Sequence, residues 1–254
     1  MVSLAEVVAG LPETKKLYLD DSYKKEAESH VLRWIKDTGR KGYVVVRETI
    51  MHPKSGAQPS DHGVLESAGI TFIVNKVMEY NGVIVHYGEI SGGDFKEEDC
   101  VKLRLDWERR YKIMRTHTAG HIVDYAVVTI YGRPFQSQSA MHDVGYGFQE
   151  YIGEYSGDLK ERIEEVANEV VMSNKPVFAE YVNAHELSKR VFGAPNLARL
   201  PRLDVYRIVV IEGINAIPCG GTHVKNTSEV GRIKIESIEQ VGNGFKVSYR
   251  VLDG

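Results

Sequence analysis

Cysteine is almost absent from this chain. Cys100 and Cys219 are the two thiols in 254 residues, too few for a disulfide framework. Positive charge is not in excess either. Lys and Arg number 32 against 35 Asp and Glu, a formal net charge of −3, whereas nucleic-acid binders usually carry surplus positive charge. Any such contact must therefore come from a local basic patch. No stretch approaches the ~18–20 continuous apolar residues of a membrane span. The opening segment MVSLAEVVAGLPETKK lacks a basic n-region and has only a short apolar run, so it does not read as a signal peptide. Internal repeats and low-complexity tracts are missing. What is present, 43% hydrophobic and 26% charged residues, is the composition of a soluble globular protein of one large or two ordinary domains.

Up to about residue 100 the chain is rich in strand signals. Val44, Val45 and Val46 form a β-branched run, Ile70 to Val77 forms another, and Val83 to His86 follows Asn81-Gly82. Asn-Gly between two apolar runs signals a tight hairpin. Between these runs lies a turn-rich loop from His52 to Gly63. Residues 1–104 are expected to form a small, mostly antiparallel, barrel-like β domain that ends around Gly92-Gly93-Asp94, with a charge-mixed segment after it. From Trp107 the pattern turns helical as far as Tyr131, where Gly132 and Pro134 close it. A second helix is expected from Asp158, which can cap it, with Ile163, Val166, Val170 and Val171 on one face. Strands follow at Val177–Val182 and Leu203–Ile211, with a short helix at Ala184–Phe192 between them. A C-terminal hairpin pairs Arg232–Ile238 with Phe245–Leu252. Residues 105–254 therefore read as an α+β domain, helices on one side of an antiparallel sheet.

Two motifs carry chemistry. His117-Thr-Ala-Gly-His121 puts two imidazoles four apart on the first long helix, one turn apart on one face. Alone, such a pair is more often packing than ligation. It is not a metalloprotease helix, because Thr118 stands where that motif needs Glu. Cys219-Gly-Gly-Thr-His223 adds a thiol and a third imidazole at the same inner spacing. Two glycines and Pro218 around these groups are poor core material, and together the halves make the ligand set of one tetrahedral Zn2+. Four protein ligands describe a structural site, whereas a catalytic ion needs an open position. Cys219, followed by the flexible Gly-Gly turn, is the candidate for a loose contact. A thiolate ligand suits a reducing cytoplasm.

Met114-Arg-Thr-His-Thr-Ala-Gly-His121 and Pro218-Cys-Gly-Gly-Thr-His-Val224 resemble the signature motifs of the alanyl-tRNA synthetase editing domain, whose freestanding form is the AlaX type of trans-editing protein. Ser55-Gly-Ala-Gln-Pro-Ser-Asp61 resembles the Ser-Gly-Gly-Gln-Pro-x-Asp loop of the preceding β domain. Thr227, Glu229 and Gly231 also follow the family pattern. The threonyl-tRNA synthetase editing domain shares both spacings, but its second motif resembles Cys-x-Gly-Pro-His, so Thr222 favours the alanyl branch. Ala57 departs from the family's second glycine, where a left-handed backbone is less comfortable for alanine. Gln138 stands where the family's Gln-x-Gly-Ser segment has glycine, and Tyr146-Gly-Phe-Gln149 replaces an Arg-x-Asp-Phe stretch.

The resemblance implies a deacylase acting in trans on mischarged tRNA(Ala), chiefly Ser-tRNA(Ala) and also Gly-tRNA(Ala), with the acceptor end of tRNA as partner. No nucleotide cofactor is expected. Zinc can polarise a carbonyl, acidify a water or simply position the aminoacyl group, and the sequence leaves all three open. Gln136 is a candidate for orienting the ester or a water, the alternative being an exposed loop amide. Thr118 and Thr222, with Thr116, could sense a seryl hydroxyl or could make local bonds. Arg109, Arg110 and Arg115, with Arg104 and Lys112, form the densest basic cluster, and Arg199, Arg202 and Arg207 form a second. Either could meet phosphates or be a solvated face. The remaining histidines, His30, His52, His62, His86, His142 and His185, read as structural or surface groups. The competing reading is a non-catalytic tRNA-binding module with a structural zinc.

Overall fold

The computed structural model describes residues 2–155, 159–193, 197 and 200–253. The chain divides into two compact units, Met1–Ser55 with Pro59–Arg110, and Gly56–Gln58 with Tyr111–Gly254. The Ser55-Gly-Ala-Gln-Pro loop, expected within the first domain, thus gives its central residues to the second.

The first unit contains α1 (Leu4–Val8), β1 (Lys15–Lys16), α2 (Leu17–Asp20), β2 (Glu26–Thr38), β3 (Lys41–Val46), β4 (Glu48–Thr49), β5 (Gly63–Ser67), β6 (Ile70–Tyr80), β7 (Val83–Ser91) and β8 (Cys100–Leu105). Six of these strands close an antiparallel barrel in the order β2-β3-β7-β6-β5-β8. Asn81 and Gly82, at φ +49° and +78°, make the expected two-residue turn between β6 and β7. Close wall packing needs Gly88, where a Cβ would lie 1.9 Å from the Ile73 carbonyl oxygen. The barrel does not end near Gly93. The charge-mixed segment is the closing strand β8, which pairs with both β2 and β5. Its Val101, Leu103 and Leu105 point inward and the charged residues between them point out. They join Val31, Val44, Leu65 and Phe72 in one buried core.

The second unit contains α3 (Trp107–Tyr131, from Tyr111 on), β9 (Gln136–His142), β10 (Tyr146–Ile152), α4 (Lys160–Met172), β11 (Val177–Asn183), α5 (Leu187–Arg190), β12 (Val205–Ile211), β13 (Asn215–Pro218), a 3-10 turn at Thr227–Val230, β14 (Arg232–Val241) and β15 (Gly244–Leu252). Instead of one sheet there are two, β14-β15-β10-β9 and β11-β12-β13. α4 buries Ile163, Val166, Ala167, Val170 and Val171. It is tied to β14 by Asn168, which donates to the Ile233 carbonyl and accepts from the Ile233 amide at 2.8 and 3.0 Å. Its N-cap residue is Leu159, without a side-chain cap bond, and Asp158 lies outside the described residues. α3 is buried on every side from Ile113 to Asp124, as a central helix must be. No described helix is long and apolar enough to cross a membrane.

His86 gives the barrel a pH dependence. It is fully buried on β7, its Nδ1–H donates to the Val44 carbonyl at 3.2 Å, and the Thr49 hydroxyl lies 2.9 Å from Nε2. Burial lowers its pKa from 6.5 to about 4, with the Val44 bond opposing. The unfolded chain protonates this ring near 6.5 and the folded chain resists to about 4, so acid favours unfolding across that window. Stability complete above pH 6.5 is expected to fall by roughly 3 kcal/mol on approach to pH 4. Urea denaturation across this range, with NMR titration of the His86 ring, measures it; a ring titrating near 6.5 would refute it.

Candidate metal centre

Four side chains from two distant segments converge. α3 presents His117 and His121, one turn apart, and the loop after β13 presents Cys219 and His223. One ring nitrogen from each histidine and the thiol sulfur all lie within 4.8 Å of one another. Cys219 Sγ is 3.5 Å from His117 Nε2 and 3.3 Å from His223 Nε2. Metal–ligand bonds of about 2.3 Å to sulfur and 2.0–2.1 Å to nitrogen, at tetrahedral angles, put ligand atoms about 3.5 Å apart. His121 adds a buried Nδ1 with no hydrogen-bond partner. The donor set and its spacing therefore fit a metal ion, and the cluster could bind one.

The rings are aimed by their neighbours. The Thr222 amide donates to Gln58 Oε1 at 3.0 Å, which identifies that atom as the oxygen. His117 Nδ1, 2.9 Å from the same Oε1, must then carry the proton and donate it. Its Nε2 is left with a lone pair facing Cys219. Gln58 Nε2 donates to Thr222 Oγ1 at 2.9 Å. On the other side Thr118 Oγ1 accepts from the Val224 amide at 3.3 Å and lies 3.1 Å from His223 Nδ1. Such contacts on the far nitrogen hold a ligand histidine in its tautomer and orientation. Gly221 allows the close approach: a Cβ there would fall 2.2 Å from His117 Cε1. Arg207 Nη1 donates to the Cys219 and Gly221 carbonyls at 2.7 and 3.1 Å, bracing the turn.

A cavity of about 220 Å³ opens beside the cluster, lined among others by His117, His121, Cys219, Asp124, His142 and Gln149. It holds several times the ~30 Å³ of one water. Burial, with a smaller effect of the Arg207 charge, lowers His121 to about 4. Burial, then His121, lowers His142 to about 3. Both rings stay neutral near pH 7. Burial raises the Cys219 thiol, against the Gly221 amide and Arg207, which lower it. Burial also raises Asp124 to about 7, against the Tyr151 hydroxyl.

Other residues singled out from sequence lie elsewhere. Gln136 is exposed on β9, a strand rather than a loop, and its neighbour Ser137 lines the cavity instead. The Thr118 and Thr222 hydroxyls are fully buried and engaged by His223 and Gln58, so each positions its neighbour. Arg110 is no phosphate contact: it is 0% exposed, paired with Asp61, and bonded to the Ser22 and Ile50 carbonyls. Arg115 is likewise buried, donating to the Val230 and Leu252 carbonyls and pairing with Asp253. Arg109 is half-buried and donates to the Ser60 carbonyl, and Arg207 faces the Cys219 turn. Arg104 pairs with Glu66 and Arg202 is exposed; Arg199 lies outside the described residues. Sequence reasoning missed four groups. Gln58 sat in a noted motif without a role. His142, which reads from sequence as a structural or surface group, stacks on His117 with ring centroids 4.4 Å apart. Asp124 gave one signal, its i+3 spacing from His121, and Gln149 gave none.

Comparison with known proteins covers both units. Residues 18–109 match the family described as "tRNA synthetases class II (A)", and residues 206–246 match "Threonyl and Alanyl tRNA synthetase second additional domain". The alanyl-tRNA editing protein AlaX-M of Methanosarcina barkeri is 34% identical over 246 residues, covering 94% of this chain and 99% of that protein. AlaX-L of Pyrococcus horikoshii is 34% identical over 223 residues, 87% of this chain and 54% of its own length. The alanine–tRNA ligase of Caldivirga maquilingensis is 35% identical over 247 residues, 94% of this chain. The chain spans only 27% of that ligase and 54% of AlaX-L.

Two substitutions test the positioning shell. Ala57 holds φ +68°, a left-handed conformation that costs an L-residue roughly 1–2 kcal/mol, part of which glycine's freedom in the unfolded chain offsets. Ala57→Gly is expected to stabilise the protein by roughly 0.5–1 kcal/mol in urea denaturation. Gln58→Leu should weaken metal binding by roughly 10- to 100-fold, as loss of a ligand's supporting partner does. Competition against a chromophoric chelator measures it, and unchanged affinity would show that His117 needs no acceptor.

Proposed function

The chain belongs to the family of AlaX-type alanyl-tRNA editing proteins, and on that premise we propose that it is an aminoacyl-tRNA deacylase acting in trans. Its substrate is the ester of a wrong amino acid on tRNA(Ala), serine first and glycine second. The observation that carries this reading is the His117, His121, Cys219 and His223 cluster opening on a cavity of about 220 Å³, the size for a small aminoacyl group. The mixture of imidazole and thiolate favours zinc. Zinc held there supplies Lewis acidity towards a carbonyl or a water.

The chain's own residues supply the rest. Gln58 and Thr118 fix the two outer rings so that their Nε2 lone pairs face inward. Cys219 borders the cavity and would be one of the four residues that hold the metal. The bond broken is an activated ester, so orientation and exclusion of bulk water supply much of what is needed. Ser137, on the cavity wall, offers a seryl hydroxyl a partner that an alanyl methyl cannot use. A site satisfied by a hydroxyl rejects the analogue lacking it, which would spare correctly charged Ala-tRNA(Ala). The acceptor end meets a protein of net charge −3, so contact rests on local cations such as Arg109 and weakens with salt. A cytoplasmic setting keeps Cys219 reduced.

A purely structural metal is the competing reading, favoured by the presence of four protein ligands. Deacylation of Ser-, Gly- and Ala-tRNA(Ala) by wild type, His121→Ala and metal-stripped protein separates the two. We expect Ser-tRNA(Ala) to be hydrolysed fastest and Ala-tRNA(Ala) to be spared. His121→Ala and the stripped protein should lose most activity while circular dichroism stays native. Equal rates for wild type and His121→Ala would sink the metal-centred reading. Collapse of the fold on chelation, with no hydrolysis by intact protein, would establish the structural one.

A further inference from the structure

Asp124 lies three residues beyond His121 on α3, on the face that carries both histidine ligands. It is 5% exposed and lines the cavity bordered by His117, His121 and Cys219. Oδ1 accepts from the Tyr151 hydroxyl at 2.6 Å, and Oδ2 accepts from Gln149 Nε2 at 3.3 Å. Gln149 is held in turn by the Gly120 carbonyl at 3.3 Å. Both partners are neutral, and no described cationic side chain is paired with this carboxyl. An ionised carboxylate in that position is under-compensated, since burial of an unpaired charge is costly. Its upward shift to about 7 expresses the same deficit.

We propose that Asp124, positioned by Gln149 and Tyr151, is the anchor for the α-ammonium group of the aminoacyl ester. This rests on the deacylase reading above and deepens it. An aminoacyl ester carries its ammonium on the carbon next to the carbonyl. A group that grips the ammonium therefore fixes the carbonyl beside the His/Cys cluster. Spacing of i, i+3 sets the carboxyl-bearing Cβ about 5–6 Å from that of His121, so both side chains border one small cavity. An entering ammonium supplies the missing countercharge, so the anchor strengthens on binding and selects free aminoacyl groups over N-acylated or α-hydroxyacyl ones. Gln149 is a positioning residue, since it acts through Asp124.

The test uses the full chain loaded with zinc and two non-hydrolysable probes: 3′-seryl-amido-3′-deoxyadenosine, and its counterpart with an α-hydroxyl in place of the ammonium. Wild type should bind the ammonium probe roughly 10- to 100-fold more tightly, as a charge-assisted pair would give. Asp124→Asn should reduce that ratio to near one, chiefly by weakening the ammonium probe. Tyr151→Phe, which keeps the carboxylate, should retain a preference. Equal binding of both probes by wild type, or a preference that survives in Asp124→Asn, would overturn the proposal, and the wild-type ratio decides even if the variant fails to fold. Hydrolysis of Ser-tRNA(Ala) with no ammonium preference would refute the anchor and leave the deacylase reading standing. An ammonium preference lost in Asp124→Asn, in a protein that hydrolyses no aminoacyl-tRNA, would do the reverse.

Discussion

One buried carboxamide holds the centre together. Gln58 has no exposed surface, and its contacts go to the two segments that carry the His/Cys cluster: the Thr222 amide and hydroxyl, and the His117 ring. The oxygen receives two N–H groups and the nitrogen gives one bond, so its orientation is decided by a backbone donor that cannot reverse. His117 inherits its tautomer from that decision. Water cannot take over the role, because a buried group left without partners costs more than its hydrogen bond gained. The missing Cβ of Gly221 belongs to the same device, since a methyl there would strike both His117 and Gln58.

Around that clasp, burial works in favour of metal binding at the rings and against it at the thiol. Depression of His121 to about 4 keeps that ring from competing for protons at neutral pH, so the nitrogen is available as a ligand. The same burial raises Cys219, and only an ion, aided by Arg207 and the Gly221 amide, makes the thiolate comfortable. Arg207 therefore serves the cavity from behind: it braces two carbonyls of the turn and carries charge towards the sulfur. This is a different task from meeting phosphate, and its spacing in sequence gave no hint of it.

What could be read from the chain was what is local. Asn81-Gly82 and the four-residue spacing of His117 and His121 each encode their geometry within a few residues, and the structure has a tight turn at the first and both rings on one helix face at the second. β8 was read as a boundary because its lysine and arginine are only the outward half of an alternating strand. The β9 segment, QSQSAMH, has no β-branched or aromatic residue to announce a strand. It pairs because β10 lies beside it, which no local pattern states. Arg110 and Arg115 looked like a basic face because charge is usually solvated. On the buried side of the helix, the same side chains had to find carbonyls and carboxylates indoors. The pairing of Gln58 with His117, 59 positions apart, is of this non-local kind too.

Two buried aspartates show how the chain separates structure from chemistry. Asp61 is fully buried and fully answered: Arg110 grips both oxygens and the His52 amide adds a third donor at 2.6 Å. A pair so complete specifies a conformation, and removing either partner would leave a naked charge. Asp124 is almost as deeply buried yet receives only a phenol and a carboxamide. A fold able to build the first arrangement could have built the second the same way, or replaced the acid with a neutral residue at no electrostatic cost. An acid left short of countercharge lowers stability unless something else supplies the cation. The place where that shortage was tolerated is the wall of the cavity beside the His/Cys cluster, where the proposed aminoacyl group would bring its own positive charge.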